Sequence, residues 1–199
     1  MSAQPLDELF AGHGDPWTEA EWSALPEGMG RVELLDGSLL VSPNPGGPHQ
    51  RMVRNLANAL ADAAAHDAAA HDVEVFEGIN VRVGEGRIMI PDIALLSPAG
   101  LDATIYDAGW VVMVVEVTSP SNAWADRLVK PEAYARAGIS HYLRLDLDRG
   151  PEHLGAVQYS LAPDGEYAET ARADAAGLLV LDRPFAATLD LPALARTTR

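Results

Sequence analysis

The sequence contains no cysteine and a single lysine, and both scarcities limit its chemistry. Without thiols the chain forms neither disulfides nor thiolate metal sites. Of its 14 lysine and arginine residues, only Lys130 is lysine. A lysine is a compact charge whose pKa can shift, whereas arginine stays protonated and presents a planar fork of donors. Lys130 is therefore the first candidate for a chemical role.

Positive charge and long apolar runs are also scarce. The formal net charge of −15 works against non-specific adhesion to nucleic acid or to anionic membranes. No stretch approaches a membrane span, and the acidic first 17 residues lack the apolar segment of a signal peptide. We therefore expect a cytoplasmic protein with no membrane partner. The length fits a single domain over 1–199, with a lead-in at 1–30, a core at 31–147 and a C-terminal β extension at 148–199.

Turn signals and apolar spacing predict an α/β fold in which helices flank a mixed central sheet. Thr18 and Glu21 predict a short capped helix, and Asp36-Gly37 predicts the turn of an N-terminal hairpin within residues 31–42. Helical spacing predicts an amphipathic helix from His49 to about Asp67 and a second over 122–137. Strands are predicted over residues 73–83, 87–96, 110–117 and 141–146, with extra antiparallel strands over 154–161, 167–172 and 177–181.

Two acidic residues lie inside strongly apolar runs. Alternation along the strand places Glu116 on one face with Val114 and Thr118, and Asp92 repeats this pattern in the preceding run. Burying an ionised carboxylate is costly unless a cation or hydrogen-bond donors offset it. Hard cations such as Mg²⁺ take oxygen ligands of this kind. Two carboxylates and the amine of Lys130 are the groups of a metal-dependent phosphodiesterase site.

Each of these residues also has a purely structural interpretation. Asp92 can be a turn acid after a proline, and Glu116 can cap the helix that follows it. Lys130 can form a surface ion pair with Asp126, four residues earlier, worth ~0.3–0.5 kcal/mol. However, Pro131 disfavours regular helix at the residue before it, which indicates that the local geometry at Lys130 has a purpose.

A set of short motifs within residues 30–147 carries a resemblance to a known family. The motifs are 32–37, Ser42-Pro43, His49, Pro91-Asp92, the run Glu-Val-Thr-Ser-Pro-Ser at 116–121, Asp126, Lys130, Tyr134, Ala137-Gly138-Ile139 and Tyr142. Together they resemble the Uma family of bacterial endonucleases, within the PD-(D/E)XK restriction-nuclease superfamily. The resemblance implies a restriction-endonuclease-like core. It also implies Mg²⁺-dependent hydrolysis of phosphodiester bonds in DNA, with Mn²⁺ able to substitute.

The resemblance also implies roles for individual residues. Asp92 and Glu116 would bind Mg²⁺ with help from the Val117 carbonyl, and Lys130 would position or activate the attacking water. The superfamily usually places a lysine two residues after the second acid, where this chain has Thr118. The resemblance therefore implies that Lys130 reaches the site from the following helix instead.

Four further residues are candidates for the same site. Glu33 is an additional acid, although in a hairpin it can equally be solvated. Asp126 and Tyr134 can support Lys130, and Tyr134 can equally be a packing residue. His49, at a helix start, can touch a phosphate or cap the helix locally.

An acidic body needs to concentrate its few cations in order to hold a phosphate backbone, and Arg51, Arg54 and Arg127 are the candidates. Their alternative is ordinary solvated helix surface. A homodimer is expected if both strands of a duplex are cut. The alternative function is a weak or inactive nuclease-fold module that binds nucleic acid or a protein partner, which the net negative charge favours.

Overall fold

The computed structural model describes residues 13–26, 28–68, 70, 72–97, 103–118, 129–147 and 154–196. These residues form four α-helices and a short 3₁₀ helix: α1 (Glu19–Ser23), α2 (Gly47–His66), α3 (Lys130–Arg136), α4 (Leu191–Ala195) and the 3₁₀ helix Ala108–Trp110. Their strands are β1 (Arg31–Leu35), β2 (Ser38–Ser42), β3 (Glu74–Glu77), β4 (Asn80–Gly84), β5 (Arg87–Met89), β6 (Ile93–Leu96), β7 (Ile105–Asp107), β8 (Val111–Thr118), β9 (His141–Asp146), β10 (Gly155–Leu161), β11 (Tyr167–Arg172), β12 (Leu178–Leu181) and β13 (Ala187–Asp190).

The strands form two large mixed sheets and one small pair. The first sheet has the order β2-β1-β5-β4-β7, with β4 and β7 parallel. The second has the order β11-β10-β9-β8-β6-β3, with β8 and β9 parallel, and β12 pairs with β13. The predicted mixed α/β fold is confirmed, although its strands are divided between two sheets.

Two apolar runs that the sequence analysis treats as single strands each cross from one sheet to the other. Residues 73–83 break at Gly78, which has a left-handed φ of 61° and donates its N–H to the Asp92 carbonyl at 3.1 Å. Residues 87–96 break around Pro91, which has no N–H to give to a strand ladder. Asp92 therefore lies at a crossing between the sheets, and the prediction that it sits within a strand is wrong.

The central strand β8 is buried on both faces, as its apolar sequence predicts. Met113 and Val115 face a core cluster that includes Leu56 and Leu60 of α2. Val114, on the opposite face, belongs to a second cluster with residues of α3. Each fully buried leucine contributes about 1.5–3 kcal/mol, so α2 is firmly fixed across one face of the second sheet.

The N-terminal hairpin and its capped helix form as predicted. Asp36 and Gly37 have φ values of 49° and 77°, the left-handed values that a tight two-residue turn requires. The Glu21 N–H donates to the Thr18 hydroxyl at 3.2 Å, and the Glu21 carboxylate accepts the Thr18 N–H at 2.8 Å. The Trp22 indole N–H donates to the backbone of β1 at 2.8 Å, which ties α1 to the first sheet.

Helix α3 lies within the range 122–137 that was predicted as the second helix. Residues 122–128 of that range lie outside the residues that the structure describes. Pro131 lies in the first turn of α3, where its missing N–H breaks no bond within the helix. Gly138, with a φ of 78°, follows the helix as predicted. The helix connects the parallel strands β8 and β9 and delivers Lys130 to the face of β8 that carries Val114.

Strands β10 and β11 of the C-terminal region extend the second sheet. Strand β10 pairs antiparallel with β9, and β11 pairs antiparallel with β10, as their sequences predict. Strands β7 and β13 and helix α4 were not predicted, and Trp110, predicted as part of a strand over 110–117, precedes β8, which begins at Val111. Among the described helices, none combines the length and apolarity needed to cross a bilayer.

Candidate active site

Asp92 is held by groups from three parts of the chain. The Val117 N–H donates to Asp92 Oδ2 at 2.8 Å, because β6 begins only at Ile93 and its ladder with β8 stops short of Val117. His49 Nε2 lies 3.2 Å from the same oxygen, and Arg31 Nη1 contacts Oδ1. Burial alone would raise the pKa of Asp92, but the His49 hydrogen bond and the Arg31 charge bring it to about 2. Asp92 is therefore an ionised, buried carboxylate.

The Glu116 carboxylate receives two donors from α3. Lys130 Nζ lies 3.1 Å from Glu116 Oε1, and the Tyr134 hydroxyl donates to the same oxygen at 2.7 Å. Burial and the negative charges of Glu116 and Glu33 raise the pKa of Tyr134 well above its usual value, so its hydroxyl remains a donor. Tyr134 thus holds the acid as well as packing in the core.

Lys130 bridges Glu116 and Glu33. Lys130 Nζ lies 3.2 Å from Glu33 Oε1, which also accepts the Ile90 N–H at 2.8 Å. The side chains of Lys130, Glu33 and Glu116 are only 7%, 4% and 2% exposed. The alternatives of a solvated Glu33 and of a surface position for Lys130 are therefore wrong.

Arg31 belongs to this cluster although the sequence pattern did not predict it. Its Nη1 contacts Asp92 and its Nη2 donates to the Ile90 carbonyl. Burial would lower the pKa of Arg31, but the charges of Asp92, Glu116 and Glu33 more than reverse this and raise it. One signal was available, since Arg31 and Glu33 are two residues apart and share a strand face.

Two acids of the cluster are candidate ligands for a divalent cation. Asp92 and Glu116 offer hard oxygen ligands, and Mg²⁺ is usually bound by one or two carboxylates together with waters and substrate phosphates. Within the described ranges no three acidic or imidazole side chains converge into a complete cage, so other ligands would come from water, backbone or substrate. The Val117 contact with Asp92 runs through its N–H, and ligation by its carbonyl stays a prediction.

A cavity of about 450 Å³ opens beside Asp92. Several polar side chains line it: Arg31, Asn44, His49, Gln50, Glu77, Asn80 and Asp92. Amide, imidazole and guanidinium groups thus line one approach to Asp92, together with the carboxylate of Glu77. A negatively charged group in this cavity would meet these donors and also the Glu77 carboxylate.

The remaining predicted residues lie in several places. His49 contacts Asp92 and makes no side-chain cap for α2, so the local-cap alternative is wrong. At about 100° per residue, Arg51 and Arg54 point about 200° and 140° around α2 from His49, and neither lines the cavity beside Asp92. A nucleic-acid contact by them stays a prediction.

Thr118, at the position where the superfamily usually has lysine, is buried. Its hydroxyl donates to the Leu145 carbonyl at 3.1 Å and lies 2.7 Å from Asp146 Oδ1, so it joins β8 to β9. Asp126 and Arg127 lie outside the described residues, and their predicted roles stay predictions.

The sequence matches the family described as "Putative restriction endonuclease" (Uma2) over residues 20–193. The chain belongs to the Uma2 family. This match confirms the family resemblance and spans every acid and base of the cluster described above. No curated protein sequence matches this Uma2 chain.

A solved structure of similar fold accompanies the family match. It is a protein from Anabaena variabilis ATCC 29413 described as "a putative nuclease belonging to DUF820", with a TM-score of 0.70. The two chains are 17% identical, and the similarity covers 91% of this chain and 100% of the other. At this identity the likeness shows a shared fold.

Proposed function

We propose that this Uma2 chain is an endonuclease that hydrolyses phosphodiester bonds in DNA with Mg²⁺, for which Mn²⁺ can substitute. The observation that carries the proposal is the buried cluster in which Lys130 lies 3.1 Å from Glu116 and 3.2 Å from Glu33, beside Asp92. Burying so many charges is costly, and a fold retains them only if they are well paired. The family description supports nuclease chemistry in particular.

Each residue has a distinct part in the proposed reaction. Asp92 and Glu116 would hold Mg²⁺, which when bound lowers the pKa of a coordinated water and polarises the phosphoryl oxygens. Lys130 orients the attacking water and stabilises the negative charge that develops on the phosphorane. Tyr134 keeps Glu116 oriented through its 2.7 Å hydrogen bond, and His49 keeps Asp92 oriented from the other side.

DNA as the substrate and a homodimer as the active form are further parts of the proposal. The family description as a restriction endonuclease supports DNA. Cutting both strands of a duplex requires two sites, which a dimer would supply. Arg51, Arg54 and Arg127 are proposed to contact the DNA backbone, and their triple alanine variant is expected to reduce the dependence of binding on salt concentration.

The second candidate is a module that keeps the nuclease fold and binds nucleic acid or a protein without cleaving. The net charge of −15 favours it, because binding of a phosphate backbone depends largely on neutralising its charge. A binding module has no need of a divalent cation at Asp92. Metal dependence therefore separates the two candidates.

The test is cleavage of supercoiled plasmid with Mg²⁺, with Mn²⁺ and with EDTA. We expect cleavage only with the metals and its loss in Asp92→Asn, which preserves the shape of the side chain. Asp62→Asn is the matched control, since it removes the same charge from an exposed position on α2. Metal-independent cleavage, or full activity in a folded Asp92→Asn variant, would contradict the proposal.

A further inference from the structure

The place of Arg31 carries an inference that rests on the proposed function. We propose that Arg31 holds the cation position at Asp92 in the metal-free protein. Metal binding displaces its guanidinium into the adjoining cavity, where it binds a phosphate of the substrate. Arg31 is then a substrate-binding residue that forms one of two ion pairs at a time, with Asp92 before the metal binds and with phosphate afterwards.

The contacts of Asp92 show why Arg31 is the group that moves. One carboxylate oxygen is held by the Val117 N–H at 2.8 Å, which is part of the fixed backbone of β8, and by His49 at 3.2 Å. The other oxygen contacts Arg31 Nη1. The Arg31 side chain is 22% exposed against 12% for His49, so it approaches Asp92 from the open side.

A divalent cation and a guanidinium compete for that oxygen. Mg²⁺ binds oxygen at about 2.0–2.1 Å and favours near-octahedral geometry. A guanidinium in hydrogen-bonding contact with the same oxygen would lie next to the metal, and the two positive charges would repel each other strongly at this distance. Since Asp92 is only 4% exposed, little water is present to screen them. Binding of the metal is therefore expected to displace Arg31 from this oxygen.

The cavity supplies the place to which Arg31 turns. Arg31 itself lines the space of about 450 Å³, together with Asn44, Gln50 and Asn80 and the carboxylate of Glu77. The long arginine side chain can reorient while its backbone stays in β1. Guanidinium groups match phosphate with two parallel hydrogen bonds, and the amide side chains add neutral donors. Asp92 keeps its orientation because the Val117 N–H and His49 remain in place.

The exchange is tested by two titrations that respond in opposite directions. Calorimetric titration with Mn²⁺, without nucleic acid, is expected to show at least tenfold tighter binding to Arg31→Gln than to the wild type. Fluorescence anisotropy with a labelled DNA duplex in Ca²⁺ is expected to show at least fivefold weaker binding. A purely structural Arg31 would instead weaken both when removed.

Arg87→Gln is the matched control. Arg87 is also an arginine paired with a carboxylate, that of Asp36, with Arg87 Nη2 donating at 2.8 Å. Its removal lowers the positive charge equally but leaves the acid cluster intact. We expect its Mn²⁺ affinity to stay within twofold of the wild type. If Arg31→Gln does not fold, the two titrations are repeated with Arg31→Lys and judged in the same way. Lysine lacks the planar group with which arginine contacts Asp92 and the Ile90 carbonyl together.

The remaining outcomes overturn the proposal. If wild type and Arg31→Gln bind Mn²⁺ with equal affinity, and Asp92→Asn abolishes binding in both, then Arg31 and the metal coexist at Asp92. In that case the exchange is wrong and the proposed metal site stands. Tighter Mn²⁺ binding with unchanged duplex binding means that Arg31 does not reach a phosphate. If neither wild type nor Arg31→Gln binds Mn²⁺, both the exchange and the metal-dependent function are wrong.

Discussion

Replacing Lys130 by methionine is the perturbation that most directly tests the buried cluster. The change removes the charge that faces Glu116 at 3.1 Å and Glu33 at 3.2 Å, while keeping a long unbranched side chain. Removing one partner of a buried ion pair costs about 3–5 kcal/mol. Each acid retains at least one neutral donor, the Tyr134 hydroxyl for Glu116 and the Ile90 N–H for Glu33. We therefore expect a loss near the lower end, about 3 kcal/mol in the free energy of unfolding.

Urea unfolding at pH 7, followed by tryptophan fluorescence, measures this loss. Arg136→Met is the control on the same helix, because Arg136 pairs with Glu132 at 2.5 Å but their side chains are 63% and 59% exposed. Exposed pairs of this kind contribute about 0.3–0.5 kcal/mol. The two substitutions thus remove the same charge from α3 with an expected difference of at least 2 kcal/mol, which we attribute to burial.

A double-mutant cycle separates the ion pair from other effects of the substitution. Glu33→Gln, combined with Lys130→Met, removes one of the two acids that face the missing amine. The double variant is expected to lose less stability than the sum of the single variants, with a coupling energy of about 1–3 kcal/mol. If Lys130→Met costs no more than Arg136→Met, or if the coupling is absent, the amine is not held between buried carboxylates and this reasoning fails.

Three further outcomes are expected. Tyr134→Phe removes a donor from Glu116 and should slow plasmid cleavage about tenfold, so an unchanged rate would exclude Tyr134 from the site. Burial lowers the pKa of His141 below its ordinary 6.5, so the folded state binds a proton at His141 less readily than the unfolded state does. The free energy of unfolding should therefore fall as the pH drops below 6.5. The difference between the urea midpoints at pH 5 and pH 7.5 should be smaller in His141→Gln than in the wild type. Gly37→Ala should destabilise the protein by at least about 1 kcal/mol in the same assay, because the φ of 77° strains alanine and its Cβ would overlap Pro16.

Elements governed by local interactions could be predicted from the sequence. Asp36-Gly37 specifies a tight turn through positive φ values, and the Thr18 cap depends on a residue only three positions away. The crossings between sheets at Gly78 and Pro91 could not be predicted, because apolar alternation is the same whichever sheet a strand joins. That choice depends on long-range packing, which a local pattern does not contain.

The candidate site could be predicted in part for a similar reason. Asp92 and Glu116 stand out because a carboxylate within an apolar run requires a partner. Arg31 does not stand out, since an arginine at the start of a hairpin is usually solvated. Its contact with Asp92 joins residues 61 positions apart and exists only when the first sheet lies against the second. Glu33 is buried by the same docking.

The position of the acid cluster between the two sheets has a consequence for folding. Glu33 comes from the first sheet, Glu116 from the second, Lys130 from α3 and His49 from α2, so no single folding unit contains the cluster. Dehydrating these charges is favourable only when all the partners arrive together. We therefore expect their contacts to be largely unformed in the folding transition state. Mutations at these positions should then change the unfolding rate much more than the folding rate, which corresponds to kinetic φ-values near zero. A nascent chain that has not yet emerged as far as α3 would lack the cluster, which forms only as the whole core closes.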